Sequence, residues 1–182
     1  MKAEVPTQAS ASMNAPDLRS ELERLHSGSF GWALACCQHR MEEAEDVLHM
    51  AYVKVLEGKA RFDGRASFRT WFFGVIRHTA IEQRRRRWVR EALLLHWFGA
   101  QSSPAALAAP QQLPSDNDSL RNALGRLPQR QQQVLHLVFY QDLTVDEAAT
   151  AMGVSPGTAR THFDRGKRKL RQLLAPERGE AR

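Results

Sequence analysis

The stretch Ser67–Arg87, SFRTWFFGVIRHTAIEQRRRR, predicts one long helix with two different ends. Its apolar residues recur at helical spacing and so share one face; they are Phe68, Trp71, Phe72, Val75, Ile76 and Thr79. The hydroxyl of Ser67 can accept a backbone N–H of the first turn. The stretch closes on the run Arg84–Arg87, with Arg77 and His78 earlier in the helix. One face is therefore predicted to anchor the helix in a core, while its far end is strongly positive.

Aromatic residues lie directly beside this positive charge. Trp71–Phe73 precede the arginines and Trp88 follows them. Cations next to aromatic rings suit a polymer of phosphates and stackable bases. Cations at a helix C-terminus also complement the helix dipole in any protein. The stretch by itself therefore leaves nucleic-acid binding and a plain solvated helix end both open.

The excess of positive charge lies in two separate segments of the chain. Residues 61–90 contain nine arginines against Asp63 and Glu82, and residues 160–171 contain six cations against Asp164. Two separated basic segments favour two contacts with one long polyanion. The whole chain has 182 residues and a net charge of +6, which is enough for one medium domain or two small ones.

Several classes of protein are disfavoured by what the sequence lacks. The first sixteen residues have no basic segment followed by an apolar run, so no signal peptide is predicted. No apolar run approaches the roughly 20 residues of a membrane span. Cys36 and Cys37 are adjacent, which disfavours a disulfide, and no second pair completes a zinc site. We expect a cytoplasmic protein without a cofactor, in which the two thiols face the core; a reactive thiol is the alternative.

Three helices are predicted before the long one. The first begins at Asp17 and is broken at Ser27–Ser29, the second covers Phe30–Met41, and the third covers Glu42–Leu56 and is ended by Gly58. The third opens on acidic residues, which favour the positive end of a helix. A polar loop over residues 59–66 leads to the long helix.

The C-terminal third predicts a compact helical unit. A short helix over Leu120–Leu127 is followed by one that begins at Pro128 and runs through Phe139. Thr144–Glu147 is a capping box at the start of a further helix. Gly153 is placed to end that helix, and Ser155 with Pro156 to begin the next. This outline is shared by ordinary helical hairpins, but the basic, small-residue opening of the second helix favours a DNA-binding helix-turn-helix.

Three blocks, taken in this order and spacing, resemble one family. They are EEAEDVLHMAYVKVL (Glu42–Leu56), RFDGRASFRTWFFGVIRHTAIEQRRRR (Arg61–Arg87), and the segment Leu127–Leu174 that contains the helix-turn-helix. Together they resemble the extracytoplasmic-function group of bacterial RNA polymerase sigma factors. The resemblance implies an all-α fold of two small helical domains joined by a flexible linker, and a non-enzymatic role in promoter recognition, DNA melting and transcription initiation.

The resemblance also implies a domain layout. Residues 17–92 correspond to sigma region 2 and residues 119–175 to sigma region 4. Residues 93–118 form the linker, in which Pro104, Pro110 and Pro114 disfavour a long helix; an uninvolved tether and a role of its own both stay open. Residues 1–16 are expected to be a disordered extension and residues 176–182 a tail.

The resemblance assigns residues to three surfaces. Those expected to dock on the clamp helices of polymerase are Glu45, Asp46, His49 and Met50. Those expected to contact and melt the minus-ten element are Phe62, Gly64, Arg65, Ser67, Arg77, His78, Arg84, Arg85, Arg86 and Arg87. Those expected to read the minus-thirty-five element are Ser155, Thr158, Arg160, Thr161, His162, Asp164, Arg165 and Lys167. For Phe62, lining a pocket for a flipped base and plugging the hydrophobic core are both open.

Partners and departures follow from the same resemblance. The expected partners are core RNA polymerase, through its clamp helices and its flap, promoter DNA, and an anti-sigma protein; no membrane insertion is expected. The chain departs from the family pattern at His49, His78, Glu82 and His162, which leaves the promoter sequence undetermined.

Two other functions fit the sequence less well. A free-standing helix-turn-helix regulator would not explain the acidic helix or the aromatic–arginine helix. A nuclease would need clustered carboxylates near a basic segment, and the densest acids, Glu42–Asp46, lie away from both.

Overall fold

The computed structural model describes residues 15–98 and 118–175, and every regular element in those ranges is a helix. The helices are α1 (Ala15–Arg24), α2 (His26–Cys36), α3 (Met41–Leu56), α4 (Phe68–Phe98), α5 (Asp118–Gly125), α6 (Gln129–Phe139), α7 (Val145–Met152) and α8 (Pro156–Leu174). We call α1–α4 the N-terminal helices and α5–α8 the C-terminal helices. The predicted all-α fold is confirmed. The predicted tail, most of the N-terminal extension and most of the linker lie outside the described residues.

The predicted helix break at Ser27–Ser29 is wrong. The chain leaves α1 at Leu25, whose dihedral angles stay near helical values (φ −88°, ψ −3°), and α2 already begins at His26. A Cβ atom on Gly28 would lie 2.7 Å from the side-chain oxygen of Gln141, and Ser29 is fully buried. The small residues therefore allow a close approach between distant segments, and they do not end a helix here.

The second predicted helix is also too long at its C-terminal end. It ends at Cys36 and not at Met41, because Gln38 and His39 adopt positive φ angles of 56° and 62° that no α-helix tolerates. Pro128 likewise lies one residue before its helix, as the N-cap of α6, and not at the first helical position.

The long helix α4 is buried on the predicted face and on a second one. Phe72, Ile76 and Thr79 are fully buried, as predicted, and Ser67 accepts the backbone N–H of Thr70 at 3.2 Å. Phe73 is equally buried but belongs to the other side of the helix. Complete burial of one such apolar side chain contributes about 1.5–3 kcal/mol to folding. Burial of the second face therefore stabilises the fold by a comparable amount of free energy.

Trp32 of α2 lies where the two sets of helices meet. Its indole N–H donates to the backbone oxygen of Phe73 at 2.9 Å. Its ring stacks on His136 of α6, with 5.9 Å between centroids. Because the indole is fully buried, this hydrogen bond satisfies a group that would otherwise be costly to place there.

The N-terminal and C-terminal helices share one hydrophobic core. Helix α7 packs along α4, and α6 packs against α2. The two backbones approach at Gly74, where a Cβ atom would make an ordinary van der Waals contact, at 3.9 Å, with the backbone oxygen of Ala151. The C-terminal side chains that belong to this common core include Val134, Leu137, Ala148, Ala151 and Met152.

Polar contacts reinforce this packing at its edge. Arg69 donates to the backbone oxygen of Gln141, and the Gln141 amide donates to the backbone oxygen of Gly28 at 3.2 Å. Farther along, the Gln129 amide donates to the backbone oxygen of Cys36 at 3.0 Å and accepts from Arg84 at 3.3 Å. We call the whole contact between the N-terminal and C-terminal helices the seam.

The seam contains a histidine that burial keeps neutral. His136 contacts Trp32, stacks on Tyr140 with 5.5 Å between centroids, and lies 3.2 Å from the Gln141 amide nitrogen. Burial, and then the charge of His39, lower the pKa of His136 to about 4. A pKa below the ordinary value means that the native state disfavours the proton, so its stability is complete above pH 6.5 and falls as the pH drops toward 4.

We therefore expect His136→Phe to flatten the acid side of the stability curve. Between pH 7 and pH 5 the wild-type chain loses about 2 kcal/mol of unfolding free energy through this group, whereas phenylalanine keeps the stacked ring and cannot bind a proton. Urea unfolding at the two pH values measures the difference. The control is His49→Phe, which makes the same change at an exposed position. Equal pH dependence in all three proteins would contradict the prediction.

Candidate nucleic-acid and polymerase interface

Helices α7 and α8 form the predicted helix-turn-helix, and local hydrogen bonds determine its turn. The hydroxyl of Thr144 accepts the N–H of Glu147 at 3.2 Å, and the Glu147 carboxylate accepts the N–H of Thr144 at 2.9 Å. The backbone N–H of Thr144, and then its hydroxyl, which donates to the same carboxylate at 2.8 Å, lower the pKa of Glu147. Gly153 ends α7 in the left-handed region at φ +58°, and Ser155 caps α8 by accepting the N–H of Thr158 at 3.2 Å. The predicted capping box, turn and N-cap are confirmed.

Close packing against α6 determines which face of α8 reaches solvent. A Cβ atom on Gly166 would lie 3.1 Å from the Leu135 side chain and 3.2 Å from that of Gln131, so a larger residue would require these side chains to shift by a few tenths of an ångström. Ala159 is buried on the same face. Of the residues predicted to read the minus-thirty-five element, the exposed ones are Ser155, Thr158, Arg160, Thr161, Asp164 and Arg165, and the half-buried ones are His162 and Lys167.

Several of these side chains already have partners within the protein. Arg160 donates to both carboxylate oxygens of Asp146 in α7, at 3.0 and 3.2 Å. The hydroxyl of Thr161 donates to the backbone oxygen of Gly157. The ammonium group of Lys167 lies over the ring of Phe163, 4.9 Å from its centroid.

The loop before α4 combines a packed ring with an exposed turn. Phe62 is half-buried and contacts Phe68 and Trp71, with centroid distances of 5.5 and 5.4 Å. The next residues turn away from the core at Gly64, where φ is +73°. Arg65 is exposed, and its guanidinium lies 3.3 Å from the carboxylate of Asp63. The core contact of Phe62 is thus present, although the side chain is only half-buried.

The predicted cations of α4 divide between two faces. Arg77 is half-buried and faces the turn of the helix-turn-helix, with a terminal nitrogen 3.6 Å from where a Cβ atom on Gly153 would lie. Arg84 contacts Gln129 on the same side. His78 and Arg85 are exposed, seven residues apart on another face. Within the described part of the chain, Arg85 has no ion pair or hydrogen bond.

The last two arginines of the run form ion pairs within the N-terminal helices. Arg86 pairs with Glu82 at 2.7 Å, one turn earlier. Arg87 forms two hydrogen bonds with Glu43 of α3, which raise its pKa. Glu82 also accepts from Lys54 of α3 at 2.6 Å, and this contact lowers the pKa of the carboxyl group. These side chains therefore attach α4 to α3 at its positive end.

Helix α3 presents the predicted polymerase-docking residues on its solvent side. Glu45, Asp46 and His49 are exposed, while Met50 is half-buried beside Gln83 of α4. The opposite face of α3 carries the buried residues Ala44, Val47, Leu48 and Ala51.

Sequence reasoning missed the second buried face of α4. Arg69, Phe73 and Arg77 recur every four residues and all face the C-terminal helices. That spacing was visible in the sequence as a second stripe beside the predicted one. Gln141, which binds both Arg69 and Gly28, had no such signal, because both partners are far away in the chain.

The described residues bring together no group of three or more histidine, cysteine or acidic side chains that could hold a metal ion. Within residues 15–98 and 118–175, no helix is both long enough and apolar enough to cross a bilayer.

Comparison with known proteins gives matches for both the N-terminal and the C-terminal part of the chain. The family model for sigma-70 region 2 matches residues 14–90, and that for sigma-70, region 4 matches residues 117–170. The chain is 27% identical over 151 residues to the RNA polymerase sigma factor YlaC of Bacillus subtilis, covering 79% of this chain and 84% of that protein. It is 30% identical over 134 residues to the ECF RNA polymerase sigma factor RpoE of Cereibacter sphaeroides, covering 73% of each.

Two solved structures share the fold. RpoE from Bartonella quintana, solved in complex with the anti-sigma factor NepR, superimposes with a TM-score of 0.67 at 22% identity, over 89% of this chain and 99% of that one. CnrH, solved in complex with the cytosolic domain of CnrY, gives a TM-score of 0.59 at 21% identity, over 91% of this chain and 92% of that one. The helix-turn-helix, the aromatic–arginine helix, both family models and a relative at 30% identity agree. The chain therefore belongs to the extracytoplasmic-function (ECF) family of RNA polymerase sigma factors, as the sequence predicted.

Proposed function

We propose that three exposed surfaces carry the sigma activity of this chain: the outer face of α3 for polymerase, the loop and α4 for the minus-ten element, and α8 for the minus-thirty-five element. The observation that carries the proposal is the polar face of α8, which close packing at Gly166 and Ala159 holds toward solvent. In this role the chain acts in the cytoplasm and needs no covalent chemistry, because binding energy alone captures unpaired bases.

On α8, Arg160 is the residue best suited to read a base. It lies in the second turn, on the exposed face, and a guanidinium binds guanine through two hydrogen bonds, worth about 1–3 kcal/mol of discrimination. Asp164 can accept from cytosine N4. The hydroxyls of Ser155 and Thr158 lie at the helix N-terminus, where a phosphate is favoured. In the free protein Asp146 holds the Arg160 guanidinium, so DNA competes with an exposed ion pair worth at most about 1 kcal/mol.

Arg160→Ala is expected to reduce transcription unevenly across promoters. Transcription from templates with a guanine opposite Arg160 falls about 10–100-fold, because a bidentate contact is lost. Transcription from the other templates falls less, because only the general attraction to phosphate is lost. A library of minus-thirty-five variants, transcribed by the reconstituted holoenzyme, measures this. The matched control is Arg168→Ala, an exposed arginine on the same helix outside the predicted reading set. A uniform loss with Arg160→Ala would make that residue a phosphate contact.

At the minus-ten element, the exposed cations of α4 are the ones available to DNA. His78 and Arg85 share a face, and Trp88 follows them with 69% of its surface exposed. Exposed rings beside cations bind single strands by stacking and charge. At the loop, the left-handed turn at Gly64 and the exposed guanidinium of Arg65 leave room and hydrogen-bond donors for a base beside the edge of Phe62.

Arg85→Ala is expected to weaken promoter opening by about tenfold while leaving polymerase binding and stability unchanged, since its side chain has no protein partner to lose. Permanganate reactivity of the melted strand in the holoenzyme–promoter complex measures opening. Arg87→Ala is the contrasting variant, because it breaks the contact with Glu43 and lowers the thermal stability of the free chain. Arg126→Ala removes an exposed arginine outside both surfaces and controls for net charge. Equal loss of opening with Arg126→Ala would contradict the assignment.

For polymerase docking, the polar face of α3 supplies two carboxylates and a histidine with no role in the core. Glu45→Lys is expected to lower the affinity for core polymerase at least about tenfold, by placing a like charge where a complementary one belongs. Competition against the wild-type chain for core polymerase measures this. Glu42→Lys makes the same change on an exposed residue of the same helix, outside the predicted set, and should compete normally. If both variants compete normally, the polar face of α3 is not the docking surface.

Engaging both promoter elements also requires the seam to open. Two elements centred about 25 base pairs apart are about 85 Å apart along B-form DNA. A compact unit of this many residues is only about 40 Å across. The packed arrangement is therefore the form of the free chain. The solved relatives with this fold were captured with the anti-sigma factor NepR and with the cytosolic domain of CnrY, which supports an anti-sigma protein as a partner of this chain too.

A further inference from the structure

A small cleft lies in the seam, between α2, α4 and the first turn of α6. Its volume is about 50 Å³, and both thiols, Cys36 and Cys37, lie in its wall. Its charged lining consists of Arg40, Arg77, Arg84, Arg130 and Glu43. Four guanidinium groups thus surround one carboxylate, and only Arg77 and Arg84 among them belong to a predicted promoter surface.

The one carboxylate of the cleft is already engaged. Glu43 pairs with Arg40 at 2.7 Å and with Arg87 through two hydrogen bonds. In the described ranges, no carboxylate pairs with Arg77, Arg84 or Arg130. The cleft therefore holds three positive charges that the protein itself leaves uncompensated.

Arg77 carries the clearest sign of a missing partner. Its Nε atom is buried and makes no hydrogen bond. Burial first, and then the charges of Arg130 and Arg84, lower its pKa. A buried donor without an acceptor costs free energy, and an acceptor of negative charge would remove that cost and the repulsion together.

We propose that this cleft binds one phosphate group, held by Arg77 and Arg84 from the N-terminal helices and by Arg130 from the C-terminal helices. Guanidinium groups match a tetrahedral oxyanion through paired hydrogen bonds. Because these arginines come from both sets of helices, the bound anion stabilises the seam.

The size of the cleft selects a small anion over nucleic acid. One water molecule needs roughly 10–15 Å³ of volume accessible to its centre, so about 50 Å³ on the same measure suits a single phosphate group. A DNA backbone cannot reach it while α6 and α7 lie against α4. Inorganic phosphate and the terminal phosphate of a small phosphomonoester present the same chemistry, and the experiment separates them.

A consequence for promoter binding rests on the proposed function. Arg77 and Arg84 belong to the predicted minus-ten set, so an anion that closes the seam also withholds them from DNA. The test of the site itself uses neither DNA nor polymerase, so its failure is distinct from failure of the promoter assignments.

The test uses the full chain, with phosphate replacing chloride at constant ionic strength. At about ten times its dissociation constant, phosphate should stabilise the folded state about tenfold and raise the Tm by about 4 °C. It should also slow the modification of Cys36 and Cys37, the only two cysteines, by a thiol reagent, because these thiols line the seam cleft. Glycerol phosphate in place of phosphate shows whether an esterified phosphate group is accepted as well.

Variants separate a specific site from the general stabilising effect of phosphate on proteins. Arg130→Ala, at an exposed position, should abolish both the Tm rise and the slower thiol modification, whereas Arg126→Ala should keep both. Arg130→Lys keeps the charge without the planar fork and should retain a reduced response. Equal responses of Arg130→Ala and Arg126→Ala, or no response beyond that to chloride in the wild-type chain, would overturn the proposal.

Discussion

The burial of α4 on two faces is the constraint on which the rest of the structure depends. Phe72 and Ile76 belong to the predicted core face of α4. Phe73 and Gly74 belong to its second buried face, on the side where α7 packs. Over residues 68–80 the two buried faces leave His78 as the one exposed side chain, whereas most side chains from Ile81 to Leu94 are exposed. His78 and Arg85 lie on one side of the helix, and both are available to a partner.

The same constraint gives the four consecutive arginines four different environments. Successive helical residues are about 100° apart around the axis, so a run of four cannot form a single patch. Arg84 turns toward Gln129 across the seam, Arg86 pairs within its own helix, and Arg87 pairs with Glu43 of α3. Arg85 is left to solvent. A charge run that resembles one binding motif is thus partly structural, and its neighbours determine which member is free to bind.

The features predicted correctly from the sequence are those that depend on a few neighbouring residues. The capping box at Thr144, the left-handed turn at Gly153 and the cap at Ser155 each involve atoms within four positions. The break at Ser27–Ser29 was wrongly predicted because the reason for these small residues is Gln141, more than one hundred positions away. Of the candidate site, the sequence predicted the surfaces through a family resemblance. It did not reveal which of their side chains were already paired, because Asp146, Glu43 and Gln129 come from other helices.

The chemistry of the seam suits a contact that forms and separates. Its α4–α7 part brings Gly74 close to the backbone of Ala151 and buries Ala148 and Met152 in the common core. Its edge consists of arginine and glutamine side chains on backbone oxygens, such as Arg69 on Gln141, and water can replace these bonds at modest cost. The interior is different, because burial disfavours the charged forms of His136 and Arg77 and lowers the pKa of both. Separation returns both side chains to water and offsets part of the lost packing. The seam covers apolar surface of the C-terminal helices in this arrangement, and its separation when DNA and polymerase bind belongs to the proposed function.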